Sequence, residues 1–143
     1  MDNTFCELKQ IYTRLYRQFL EPVCDAHNLS KAELDVLLFL ANNPQYDTAT
    51  DIVEVRGITK SHVSEAVAKL EKRGFLERYC KEGNRRTIHL LISDGAKGIV
   101  KEAQQVQLAF FNALYTGVSQ EEMQTMKRIM EKITKNALDA FEK

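Results

Sequence analysis

The chain has 143 residues, the length of one ordinary domain, and its 44% hydrophobic and 28% charged residues are those of a globular protein. A chain of this size buries roughly 68–70% of its unfolded surface and needs no disulfide staples. Twenty Lys and Arg balance twenty Asp and Glu, which excludes a generic polycation that coats nucleic acid or membrane by bulk charge.

The opening segment, MDNTFCELKQ, has neither a basic n-region nor an apolar h-region. The longest apolar run, Val36 to Ala41, is far short of the ~20 residues of a spanning helix, so no membrane partner is expected. Cys6, Cys24 and Cys80 are widely spaced and form no CxxC pair. Neither a zinc knuckle nor a disulfide framework is expected, and a reducing cytoplasm is the simplest compartment.

Apolar residues at 5, 8, 11, 12, 15, 16, 19, 20 and 23 form one stripe of a long amphipathic helix, which Pro22 should kink or shorten. Ser30-Lys31-Ala32-Glu33 is a capping box in form, and opens a helix over Leu34, Leu37, Leu38 and Ala41 that Asn42-Asn43-Pro44 ends. A short helix around 49–55 follows, broken at Gly57. Thr59 caps the next helix, which carries Val63, Ala66, Val67 and Leu70 and stops at Gly74. Two helices joined by Arg56-Gly57-Ile58 make a helix-turn-helix.

Residues 75–80 and 87–93 are rich in aromatic and β-branched types, which predicts a hairpin with residues 81–86 at its tip. His89 alternates with Ile88 and Leu90, which predicts a solvated position for it. Ser93 is the expected cap of a long helix to about Tyr115, with Ile99, Ala103, Val106, Phe110 and Leu114 on one side. Ser119-Gln120-Glu121-Glu122 is a second capping box. The final helix has apolar residues at 123, 126, 130, 133, 137 and 140, a seam suited to another helix.

The zero net charge is unevenly spread. Residues 1–55 hold 4 Lys/Arg against 9 Asp/Glu, residues 56–86 hold 9 against 4, and residues 87–143 hold 7 of each. The positive excess therefore sits in the second helix of the helix-turn-helix and in the hairpin after it. Phosphate contacts need local rather than global charge, because counterions are released only where Lys and Arg meet the backbone.

The helix from Thr59 would lie in a major groove of double-stranded DNA with its first turns nearest the base edges. Thr59, Lys60, Ser61, His62, Ser64 and Glu65 are its candidate readers: hydroxyls serve either edge, lysine favours guanine, and Glu65 can accept from cytosine. Lys69, Lys72 and Arg73 lie later and suit phosphates, while Lys81, Asn84, Arg85 and Arg86 in the hairpin suit backbone or minor groove.

This order of elements resembles the MarR family of winged helix-turn-helix regulators over essentially the whole chain. The most specific likeness runs from Gly74-Phe75-Leu76-Glu77-Arg78 through Asn84-Arg85-Arg86-Thr87 to Ser93, similar to the family's wing signature. Asn84 stands where the family usually has aspartate, so that a contact with Arg86 would be a neutral hydrogen bond. Ser93 replaces a threonine and keeps its capping chemistry, and Glu65 lies where a basic residue is common.

The resemblance implies a mainly α fold with a small β-hairpin wing, a six-helix homodimer in which two winged motifs read a palindromic operator. One unit would span 1–143, with a DNA-binding lobe at 30–93 and a helical dimerisation region at 1–29 and 94–143. Two-fold symmetry would set the recognition helices about 34–36 Å apart. It further implies a cytoplasmic transcription regulator, a repressor, released by a small aromatic or amphipathic effector with Tyr12, Tyr16 or His27 as polar handles. Cys6 resembles the peroxide-sensing cysteine of one branch of the family. The tyrosines that assist that thiol are replaced, at the corresponding positions, by Gln10, Leu20 and Lys31.

No phosphate loop, GxSxG elbow or HExxH is present, so neither enzyme activity nor a cofactor is expected. His27, His62 and His89 fall on three different elements, so no metal is expected either. The remaining alternatives are a thiol-based peroxide sensor using Cys6 and a winged-helix adaptor that binds protein. Serines, a histidine and basic residues on the exposed helix argue against the adaptor, which would carry aromatic or aliphatic anchors there.

Overall fold

The computed structural model describes residues 2–143. It is mainly helical with one antiparallel hairpin, as the sequence predicts: α1 (Thr4–His27), α2 (Lys31–Asn42), α3 (Ala49–Asp51), α4 (Lys60–Lys72), β1 (Leu76–Lys81), β2 (Asn84–Ile92), α5 (Asp94–Leu114) and α6 (Gln120–Phe141). A π-helical turn, Ile52–Arg56, continues α3. The chain forms two compact units, one up to Phe110 and one from Phe111 to Lys143.

The core of the first unit draws Leu20 and Val23 from α1, Leu34 and Leu37 from α2, and Ile52 from the π turn. Val63 and Leu70 of α4, Leu90 of β2 and Ala103 of α5 complete it. Beside it, Phe110 is fully buried, with the rings of Tyr12, Tyr16 and Phe19 edge-on at 5.0–5.5 Å.

Helix α1 does not stop near Pro22 but runs on to His27. A proline there removes the bond to the Gln18 carbonyl, yet both residues are exposed, so water can take the freed acceptor. The helix ends where Asn28 adopts a left-handed conformation (φ 52°), with the Asn28 and Leu29 amides donating to the carbonyls of Asp25 and Cys24. Gly74 ends α4 in the same way, with φ 76° and the Phe75 amide bonded to the Leu70 carbonyl. The capping boxes at Ser30 and Ser119 both form. Ser93 does not cap α5: its hydroxyl is buried without a hydrogen-bond partner, and its main-chain oxygen accepts from the Ala96 amide.

The hairpin is longer and its turn tighter than the sequence suggests. Lys81 pairs with Asn84 across Glu82-Gly83, and the left-handed Gly83 (φ 80°) allows the short reversal. Arg85 and Arg86 therefore belong to β2 rather than to a loop. In the second unit α6 runs for 22 residues without one buried residue. Met126, Met130, Ile133 and Leu138 are 41–59% exposed on it.

Candidate nucleic-acid interface

The left-handed Gly57 (φ 77°) turns the chain sharply between α3 and α4. Thr59 then caps α4 by accepting a hydrogen bond from the His62 amide. Val63, Ala66, Val67 and Leu70 lie 0–3% exposed on one side of α4. Period 3.6 leaves Lys60, Ser61, His62, Ser64, Glu65, Lys69 and Lys72 outward, and each is exposed. Ala68 is exposed among them, a position that periodicity alone did not single out. Its methyl keeps that face low and is of the kind that meets a thymine methyl.

Not every basic residue in this region is equally available. Lys69 pairs with Glu65 at 3.0 Å, and its hydrogen bond holds the Glu65 carboxyl below the usual range, so Glu65 is a carboxylate at neutral pH. Arg73 donates to the carbonyls of His27 and Asn28, each at 2.7 Å, and lies over the Phe75 ring. It neutralises the C-terminal end of α1, a task different from the phosphate contact expected for it. Arg78 donates to Glu71 at 2.6 Å, linking β1 to α4.

On the wing, Lys81, Arg85 and Arg86 are exposed and form no ion pair among the described residues. Asn84 acts on the backbone: its Oδ1 accepts from the amides of Arg86 and Thr87, and its Nδ2 donates to the Thr87 hydroxyl. The side-chain amide thus braces the turn itself rather than the Arg86 guanidinium.

His89 is not solvated as alternation suggested. It is 8% exposed, stacked on Tyr79 with ring centroids 5.1 Å apart, and its Nδ1 lies 2.6 Å from Oδ1 of Asp47. The Tyr79 hydroxyl donates to the other Asp47 oxygen at 2.8 Å. Partial burial alone would raise the Asp47 carboxyl, but the hydrogen bonds from His89 and Tyr79 outweigh it and hold the group below its ordinary value. The same bond to Asp47 raises the Tyr79 phenol. These three residues lie on different segments, so sequence spacing carried no signal of their meeting. The Thr48–Asp51 capping box next to Asp47 was legible as a pattern.

The proposed effector handles are only partly gathered. Tyr12 and Tyr16 stack at 6.2 Å, and the Tyr16 hydroxyl accepts from Gln107 at 2.6 Å. Burial is the main cause that pushes the Tyr16 phenol up. His27 lies eleven residues farther along α1, about 16 Å at helical rise, and pairs with Glu102 at 2.8 Å. A cleft of about 270 Å³ lies in the helix-turn-helix itself, with Ala49, Val53, Lys60, Val63 and Ser64 among its lining residues. Cys6 is exposed near the start of α1, in a shallow groove with Asn3, Glu7, Gln10 and Ile11.

Comparison with known proteins agrees with this geometry. The family model described as MarR family matches residues 27–86, which run from the end of α1 through α4 to the wing arginines. The HTH-type transcriptional regulator PecS of Dickeya dadantii is 22% identical over 122 residues, 84% of this chain and 74% of PecS. A MarR family transcriptional regulator from Listeria monocytogenes, solved with a 26mer DNA, superposes with a TM-score of 0.82 at 17% identity, covering 98% of this chain and 92% of that one. NadR in complex with 4-hydroxyphenylacetate gives 0.75 at 18% identity, with 93% of each chain covered. At these identities the structural likeness is one of fold. The segment that resembles the MarR family, residues 27–86, carries the helix-turn-helix and the wing arginines of this chain.

Proposed function

We propose that this chain is a sequence-specific DNA-binding transcriptional regulator, a cytoplasmic repressor that acts by binding rather than by catalysis. The observation that carries the reading is the two-sidedness of α4. Its inner face is buried to within 3% while Lys60, Ser61, His62, Ser64 and Glu65 stand outward beside a wing whose Lys81, Arg85 and Arg86 are exposed and form no ion pair among the described residues. A helix with that outer face suits a major groove, and the wing suits adjacent phosphates or the minor groove.

The reading includes homodimerisation on a palindromic operator, and the exposed helix faces support the dimer. Phe5, Leu8 and Ile11 of α1 are 55–75% exposed, and α6 buries nothing. A second copy is the partner a two-fold operator calls for. A small aromatic or amphipathic effector that releases the DNA is supported by the aromatic cluster of α1 and by the phenolic acid held in NadR.

The reading is tested by fluorescence anisotropy with DNA from the protein's own upstream region. Steep salt dependence and a preference of at least about a thousandfold over random DNA are expected of a specific regulator. Equal binding to both DNAs would overturn it.

A further inference from the structure

Asp47 joins three parts of the DNA-binding lobe. Its Oδ1 meets Nδ1 of His89 on β2 at 2.6 Å, and its Oδ2 accepts from the Tyr79 hydroxyl on β1 at 2.8 Å. Tyr79 and His89 are direct cross-strand partners, so one carboxylate grips both strands at a single register position. Its main-chain oxygen accepts from the Leu90 amide at 2.7 Å, a backbone bond that extends the hairpin's pairing to the segment before α3.

That segment is itself held firmly. Thr48 caps α3, its hydroxyl accepting from the Asp51 amide while Asp51 accepts from the Thr48 amide, each at 3.1 Å. A two-stranded hairpin has little stability of its own in water, so its orientation depends on such anchors. His89 lies three residues from Arg86, a lever of roughly 10 Å at strand rise. A tilt of about 10° at the anchor would move the guanidinium by roughly 2 Å, beyond hydrogen-bond tolerance.

We propose that Asp47 is a positioning residue for the wing: through His89 and Tyr79 it fixes the hairpin against α3, so that Arg85 and Arg86 reach DNA phosphate while α4 occupies its groove. The proposal rests on the DNA-binding reading above. Asp47 itself touches no DNA and acts only through the two arginines.

The test is a mutant cycle read by anisotropy at several salt concentrations. Asp47→Ala should weaken operator binding about fivefold to tenfold and flatten the salt slope, each lost phosphate contact removing about 0.9 from it. In an Arg85→Ala/Arg86→Ala background, Asp47→Ala should cost less than twofold more. An equal fold-loss in both backgrounds would mean a merely structural role and would overturn the proposal, as would an Asp47→Ala protein that binds like the parent. Should Asp47→Ala fail to fold, Tyr79→Phe, which removes one hydroxyl and keeps the ring stack, takes its place with the same decisive comparison. Unchanged binding by the double arginine variant would sink the wing's role alone. Absence of binding by the parent would sink the DNA-binding reading with it.

Discussion

Arg73 donates from Nη1 to the main-chain oxygen of Asn28 at 2.7 Å, across 45 positions of sequence. Its Nη2 reaches the neighbouring carbonyl of His27 at the same distance. The residue that closes α4 thereby supplies charge where the dipole of α1 leaves unsatisfied oxygens. His27 carries the contact onward by its side chain, paired with Glu102 of α5. The end of the proposed recognition helix is thus tied to two other helices of its unit.

Arg73→Ala removes two charge-assisted bonds and should cost about 1–3 kcal/mol of stability. For a chain of this length that is a melting temperature lower by roughly 3–10 °C. The salt slope of DNA binding should stay where it was, because the guanidinium is engaged inside the protein. A flatter slope with unchanged stability, read by anisotropy and thermal melting, would return Arg73 to the DNA interface.

Arg86→Ala should show the opposite pattern. Its side chain is exposed and in no ion pair among the described residues, so stability should change by less than about 0.5 kcal/mol. Operator affinity should fall and the salt slope should flatten by about 0.9, one phosphate's worth. Identical affinity and slope would remove the hairpin from the interface.

The contrast between these two arginines marks what was legible in the sequence. Helical period placed Val63, Ala66, Val67 and Leu70 inward and the candidate readers outward, because period depends only on local geometry. Capping boxes at Ser30 and Ser119 and the left-handed stop at Gly74 were likewise local. The role of Arg73 was not, since its acceptors come from a helix end 45 residues away. His89 was misplaced for the same reason: alternation assigns a strand two faces, and Asp47 covers the one thought to be open. Ser93 fits a capping pattern by type, yet its hydroxyl finds no amide to accept from.

Asp47 gives the wing anchor a pH dependence of definite sign. Its carboxyl is held below the ordinary value when folded, so it contributes stability above the unfolded value and loses it as pH falls through the folded one. The stability gap between the parent and Asp47→Asn should be full at neutral pH and close progressively below about pH 5. Urea denaturation at stepped pH measures it. A gap that fails to close at strongly acid pH would contradict the hydrogen-bonded carboxylate.

The last helix gives the most direct test of assembly. A helix of 22 residues without a buried side chain is marginal alone in water, because nucleation is costly and propagation gains little without packing. Its Met126, Met130 and Ile133 repeat at 4 and 3, the spacing of a helix–helix seam, and each is 41–51% exposed. A partner helix would remove that surface from water, within an interface that needs about 800 Å² from each copy. Met130→Glu with Ile133→Glu places two like charges in the seam and should convert a dimer to monomer in sedimentation at micromolar concentration. Because a palindrome is read by two linked motifs, operator affinity should drop by at least a hundredfold. A parent protein that sediments as a monomer, or a variant that remains dimeric, would move the assembly surface away from α6.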